Sequence, residues 1–68
     1  MRLATALAHL PDDQRAVLEL NLLHGFRLAE ISERTGFSKL SVVGHLFRGV
    51  KALRVLLGDS HIGSAGGS

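Results

Sequence analysis

The sequence has no cysteine, tryptophan or tyrosine, a single proline, and three phenylalanines among 68 residues. Without cysteine there are no disulfides and no thiolate metal sites. A chain of about 60 residues buries only roughly 60% of its unfolded surface. Stability must therefore come from helix packing or from a partner. No apolar run approaches the ~20 residues needed to span a bilayer. The start, Met1-Arg2-Leu3-Ala4, lacks the apolar stretch of a secretion signal. A soluble, cytoplasmic protein with no membrane partner is expected. Strand signals, internal repeats and charge runs are absent. His9, His24, His45 and His61 lack the spacing or cysteine partners of a metal site. The C-terminal glycines follow no strand, so they form no phosphate loop. Ser32, Ser38 and Ser41 have cap or surface roles with no nucleophile–base arrangement. Neither an enzyme, a cofactor, a metal nor a small-molecule ligand is expected.

What the chain does have is an uneven charge distribution. Residues 1–37 sum to −1, whereas residues 38–58 carry Lys39, Arg48, Lys51 and Arg54 with no acid; Asp59 brings the total to +2. A basic segment behind a near-neutral scaffold points to an anionic partner, or else to a solvated helix face.

Apolar spacing predicts an all-α domain of four helices over residues 1–58, without a β wing. The first runs from Arg2 to Leu10, with Leu3, Leu7 and Leu10 on one stripe, and Pro11 stops it. The second runs from Asp12 to Leu23. Asp12 and Asp13 favour its N-terminus, and Gly25 is its left-handed cap. The third spans Leu28 to Thr35, with Ala29 and Ile31 facing inward. Gly36 makes a turn, Phe37 points into the core and Ser38 is an N-cap. The fourth runs from Lys39 to about Leu57 on a stripe of Val42, Leu46, Gly49, Val50, Leu53 and Leu57. Residues 59–68, Gly/Ser-rich, are expected to be a disordered tail.

Two helices joined by a tight glycine turn, the second longer and basic, describe a helix-turn-helix. A fourth helix about 28 Å long fits the major groove, where its N-terminal residues reach base edges and flanking positions hold phosphates.

The residues Leu10-Pro11-Asp12-Asp13-Gln14-Arg15-Ala16-Val17-Leu18-Glu19-Leu20 resemble the "LPxxQRxVLxL" opening of the fourth conserved region of extracytoplasmic-function sigma factors. Gly25, Leu28-Ala29-Glu30-Ile31-Ser32-Glu33 and Gly36 resemble the pattern that follows. Ser41-Val42 and Leu46 through Arg54 resemble the family's recognition helix and its basic exit. The alternative is a LuxR-type regulator, which His45-Leu46 would suit. That family usually has three residues where Asn21-Leu22-Leu23-His24 separate Leu20 from Gly25 here. The resemblance implies a domain that reads the minus-35 promoter element, docks on the RNA polymerase β flap and is covered by an anti-sigma factor. A full sigma factor also needs a promoter-melting domain, so a fragment of a longer protein is expected.

The recognition helix departs from the family's "TVKSRLHRA". It reads Ser41-Val42-Val43-Gly44-His45-Leu46-Phe47-Arg48-Gly49, so the usual Lys-Ser-Arg has become Val43-Gly44-His45. This removes two fixed charges. Mid-helix, Gly44 costs roughly 1 kcal/mol against alanine and could permit close approach to another backbone. Ser32 and Thr35, where the family prefers Ala and Leu, predict a looser core. The candidate DNA-binding residues are Arg34, Ser38, Lys39, Leu40, Ser41, Val43, Gly44, His45, Phe47, Arg48 and Lys51. Arg48, Lys51 and also Arg54 would hold phosphates. Phe47 either meets a thymine methyl or packs against the first helix. His45 is a pH-dependent phosphate contact or a surface imidazole without a role. A competing reading is a protein-interaction module, because Leu22, Leu23, Leu56 and Leu57 exceed what so small a core can bury.

Overall fold

The computed structural model describes residues 2–58; the expected tail at 59–68, with His61, lies outside the described residues. The described residues form four α-helices, α1 (Leu3–Ala8), α2 (Asp12–Leu18), α3 (Leu28–Thr35) and α4 (Lys39–Leu56), with a π turn over Glu19–Leu23 continuing α2. There is no strand among the described residues.

Each boundary has a local cause. The first helix is shorter than the sequence predicts, ending at Ala8 with His9 as its cap. Pro11 disfavours helical dihedrals at the residue before it, and the chain leaves the helix two residues earlier. Leu7 and Leu10 are buried, but Leu3, the first residue of the helix, is exposed. Pro11 precedes α2, with Asp12 and Asp13 in the first turn, where negative charge suits the helix dipole.

The second helix does not continue to Leu23 as α-helix. The His24 N–H donates to the Glu19 carbonyl at 3.3 Å and the Phe26 N–H to the Leu20 carbonyl at 3.0 Å. The Asn21 side-chain amide donates to the Phe26 carbonyl at 3.1 Å. This cross-turn bond is invisible to periodicity, because Asn21 reads as one more residue of an amphipathic helix. Leu20 packs inward, while Leu22 and Leu23 stay exposed.

At the start of α3, the Glu30 carboxylate accepts from the Arg27 backbone N–H at 2.9 Å, half of a capping box. Ile31 is buried, but Ala29, expected inward, is exposed. The inward stripe of this short helix is Leu28, Ile31, Ser32 and Thr35, at steps of three and four, and Ala29 lies off it. Gly36 then takes φ +80°, a left-handed conformation that glycine adopts without a Cβ penalty.

Ser32 and Thr35 do not loosen this region. Ser32 Oγ donates to the Phe37 carbonyl at 2.6 Å. Thr35 Oγ1 donates to the Ile31 carbonyl at 2.8 Å and accepts from the Phe37 N–H at 3.2 Å. The two hydroxyls fasten the turn between α3 and α4 with bonds that Ala and Leu could not make. Ser38 caps α4 by accepting from the Ser41 N–H at 3.1 Å, as expected of that residue type.

The other three helices all pack on α4. Val42, Gly49 and Leu53 are its buried residues. Leu57, predicted to extend the stripe, is the cap residue beyond the last turn and is exposed; Leu56 packs instead. One core cluster joins Ala6, Leu7, Leu10, Leu18 and Leu53. A second joins Val17, Ile31 and Val42 with Phe26 and Phe37 at its margin. Leu46 packs against both. Of the two mid-helix glycines, Gly49 and not Gly44 meets another helix. A Cβ at 49 would lie 3.0 Å from Leu18 Cγ and nearer still to Cδ1, so α2 rests on α4 where the side chain is missing.

Candidate nucleic-acid interface

The inward stripe of α4 determines what faces out. With Val42, Gly49 and Leu53 buried, helical spacing turns Leu40, Val43, Gly44, Phe47, Lys51 and Arg54 to the opposite side. Leu40 is 82% exposed, Phe47 70% and Val43 46%. Phe47 therefore does not pack against α1, and the packing alternative for it is excluded. Along the helix the outward face is apolar in its N-terminal half and cationic toward the C-terminus. Val43, Leu46, Phe47, Val50, Lys51 and Arg54 line an open groove of about 510 Å³. No acidic residue occurs between Lys39 and Leu56.

The N-terminal end of α4 is occupied by its own cap. Ser38 Oγ donates to Ser41 Oγ at 3.1 Å, and both residues, like Lys39, are exposed. Gly44 has no other backbone near it. A Cβ there would meet only the Arg48 guanidinium, at 3.4 Å, so the arginine lies back along the helix over the space left by the glycine. Arg48 Nη2 reaches 3.4 Å from His45 Nδ1, a long contact. The His45 ring is tilted by 54° against Phe37, with centroids 5.1 Å apart, and is half-buried. It is thus held between a ring and a guanidinium rather than free at the surface. In α3, the Arg34 guanidinium sits 3.8 Å from the Phe26 ring centroid, a cation–π arrangement. His24 stacks on Phe26 at 6.0 Å.

All eleven candidate residues lie on α4, its cap or the last turn of α3, and ten of them share one helix and its N-cap. Phe26 and Phe37 as supports for Arg34 and His45 were not legible in the sequence. Their only signal was that two of the three phenylalanines flank α3. Among the described residues no group of His, Cys, Asp or Glu is placed to hold a metal ion, and no helix is long and apolar enough to cross a membrane.

Gly44 yields a direct expectation. Because a Cβ there meets only the end of a flexible side chain, Gly44→Ala should raise the unfolding free energy by roughly 1 kcal/mol through helix propensity. Thermal denaturation by circular dichroism checks this, and a fall in the midpoint would mean that the site is tighter than the geometry says.

The family model described as "Sigma-70, region 4" matches residues 1–53. The chain belongs to the sigma-70 region 4 family. No curated protein and no solved structure matches it. Membership makes this a DNA-binding domain of a transcription initiation factor and not an enzyme. The match covers all of α1 to α3 and α4 as far as Leu53, so the family likeness extends over the helix-turn-helix and the two helices before it. The altered stretch Val43-Gly44-His45 lies within it, with Val43 and Gly44 on the outward face of α4 and His45 turned against Phe37.

Proposed function

We propose that this region 4 domain is the promoter reader of an extracytoplasmic-function sigma factor, acting in the cytoplasm. It places α4 in the major groove of the minus-35 element. Ser38, Lys39, Leu40, Ser41, Val43, Gly44, His45 and Phe47 meet base edges and the adjoining backbone. Arg34, Arg48, Lys51 and Arg54 hold phosphates. The observation that carries this reading is the outward face of α4, which is free of acid over its whole length and cationic toward its C-terminal end. Phosphate neutralisation supplies most non-specific affinity and its salt dependence. Docking on the RNA polymerase β flap and capture by an anti-sigma factor accompany this reading. Exposed Leu22 and Leu23 on the π turn give apolar surface on a different element from the DNA face.

The second reading is a protein-interaction module, favoured by the apolar groove beside Val43, Phe47 and Val50. One experiment separates the two. Bound sequences are selected from a random duplex pool at two salt concentrations, with the wild-type domain and with Arg48→Ala/Lys51→Ala. A sequence motif that the variant binds at least tenfold more weakly, with a salt slope reduced by about two, is the expected result. No enrichment at either salt concentration, together with no effect of the variant, would sink autonomous promoter reading.

A further inference from the structure

The N-terminal half of the outward α4 face presents Leu40, Val43 and Phe47 at successive steps of three and four, all exposed. Gly44 lies between them without a side chain, and the Arg48 guanidinium borders the gap. Exposed Ser41 and Arg48 flank the strip, and Lys51 is the next polar residue in line with it. A cationic, acid-free helix suits a polyanion, yet its base-reading end can neither donate nor accept hydrogen bonds through these three side chains. Of the groups that base pairs present in the major groove, guanine offers N7 and O6, cytosine its amino group, and adenine N7 and an amino group; thymine adds a C5-methyl. Pressing apolar side chains on the polar edges strips water from donors and acceptors without replacing it. Only the methyl gains from such contact.

Resting on the promoter-reading proposal above, we infer that Leu40, Val43 and Phe47 form an apolar strip that selects DNA by thymine C5-methyl groups, so that specificity here is read as methyl burial rather than as hydrogen bonding. The strip occupies the helix end where the family's Lys-Ser-Arg would stand. The lost charges are thereby replaced by a preference for sites carrying thymine in the contacted strand. Lys51 and Arg54, further along the same face, hold the helix against the backbone.

The test uses the chain as it is and a random duplex pool made once with thymidine and once with deoxyuridine, which differs only by the missing methyl. Sequences enriched from the thymidine pool are then remade with deoxyuridine at each thymine in turn. Replacement at a contacted thymine should weaken binding roughly fourfold, the effect of burying one methylene-sized group. Phe47→Ala, or Leu40→Ala or Val43→Ala at neighbouring thymines, should bind the two versions alike. All three positions are exposed, and retained helical circular dichroism shows that a variant is folded. If enriched duplexes bind equally with thymine and uracil, methyl reading is overturned while promoter reading stands. A methyl effect that survives in all three variants overturns the assignment to this strip. Absence of enrichment from both pools overturns the promoter-reading proposal as well.

Discussion

Leu18→Ala is expected to remove about 2–5 kcal/mol of stability, the range for truncating a buried leucine. Domains below about 70–80 residues rarely draw more than 3–5 kcal/mol from their core. The variant should therefore be largely unfolded at room temperature, with its helical signal lost. Leu18 is fully buried, and it is the side chain that sits where a Cβ at Gly49 would be. This gives a second arm with a change of sign. In the wild type, Gly49→Ala should destabilise by about 1–3 kcal/mol through overpacking, partly offset by the roughly 1 kcal/mol helix-propensity gain. In the Leu18→Ala background the same methyl enters vacated space and should restore part of the loss. Residues in direct contact couple by about 0.5–3 kcal/mol. Urea titrations of the four proteins in a fixed concentration of a stabilising osmolyte, which gives the truncated variants a folded baseline, measure the coupling, and simple additivity would show that α2 does not rest on α4 at Gly49.

Phe47→Glu is expected to abolish detectable DNA binding while leaving the fold intact. Phe47 is 70% exposed, so its replacement should change stability by no more than about 0.5 kcal/mol, as for other surface sites. The new carboxylate would stand on the face that must approach phosphates and base edges. A like charge brought to such an interface costs several kcal/mol, or upward of a hundredfold in affinity. Leu22→Glu makes the same change of charge on the π turn and should cost far less. Fluorescence anisotropy on the selected duplex, with circular dichroism on each variant, makes the comparison. Equal losses in both variants would mean that net charge, not the α4 face, controls binding.

The departures from expectation share a cause. Asn21, Ser32 and Thr35 act through hydrogen bonds to backbone groups several residues away, and hydrophobic period assigns no bonding role to any of the three. Gly44 and Gly49 are both mid-helix glycines in the same basic helix. Which of them meets another helix depends on the azimuth at which α2 crosses α4, and the sequence carries no direct record of that angle. Arg34 and His45 are polar residues near a turn; that each lies on a phenylalanine ring follows from how Phe26 and Phe37 flank α3 after folding.

The amino-acid sequence by itself determined that this is an all-helical domain, where α3 begins and ends, that Gly25 and Gly36 break the helices, that Ser38 caps the last one, and that the cations concentrate there. These are local properties, set by side-chain period, cap chemistry and backbone freedom within a few residues. Only the tertiary structure decided that the chain after α2 winds into a π turn, that Gly49 rather than Gly44 is where another helix rests, and that Phe47 faces out instead of packing on α1. Those outcomes depend on which helix faces compete for a core too small to bury every apolar side chain, and that competition is settled between helices, not within them.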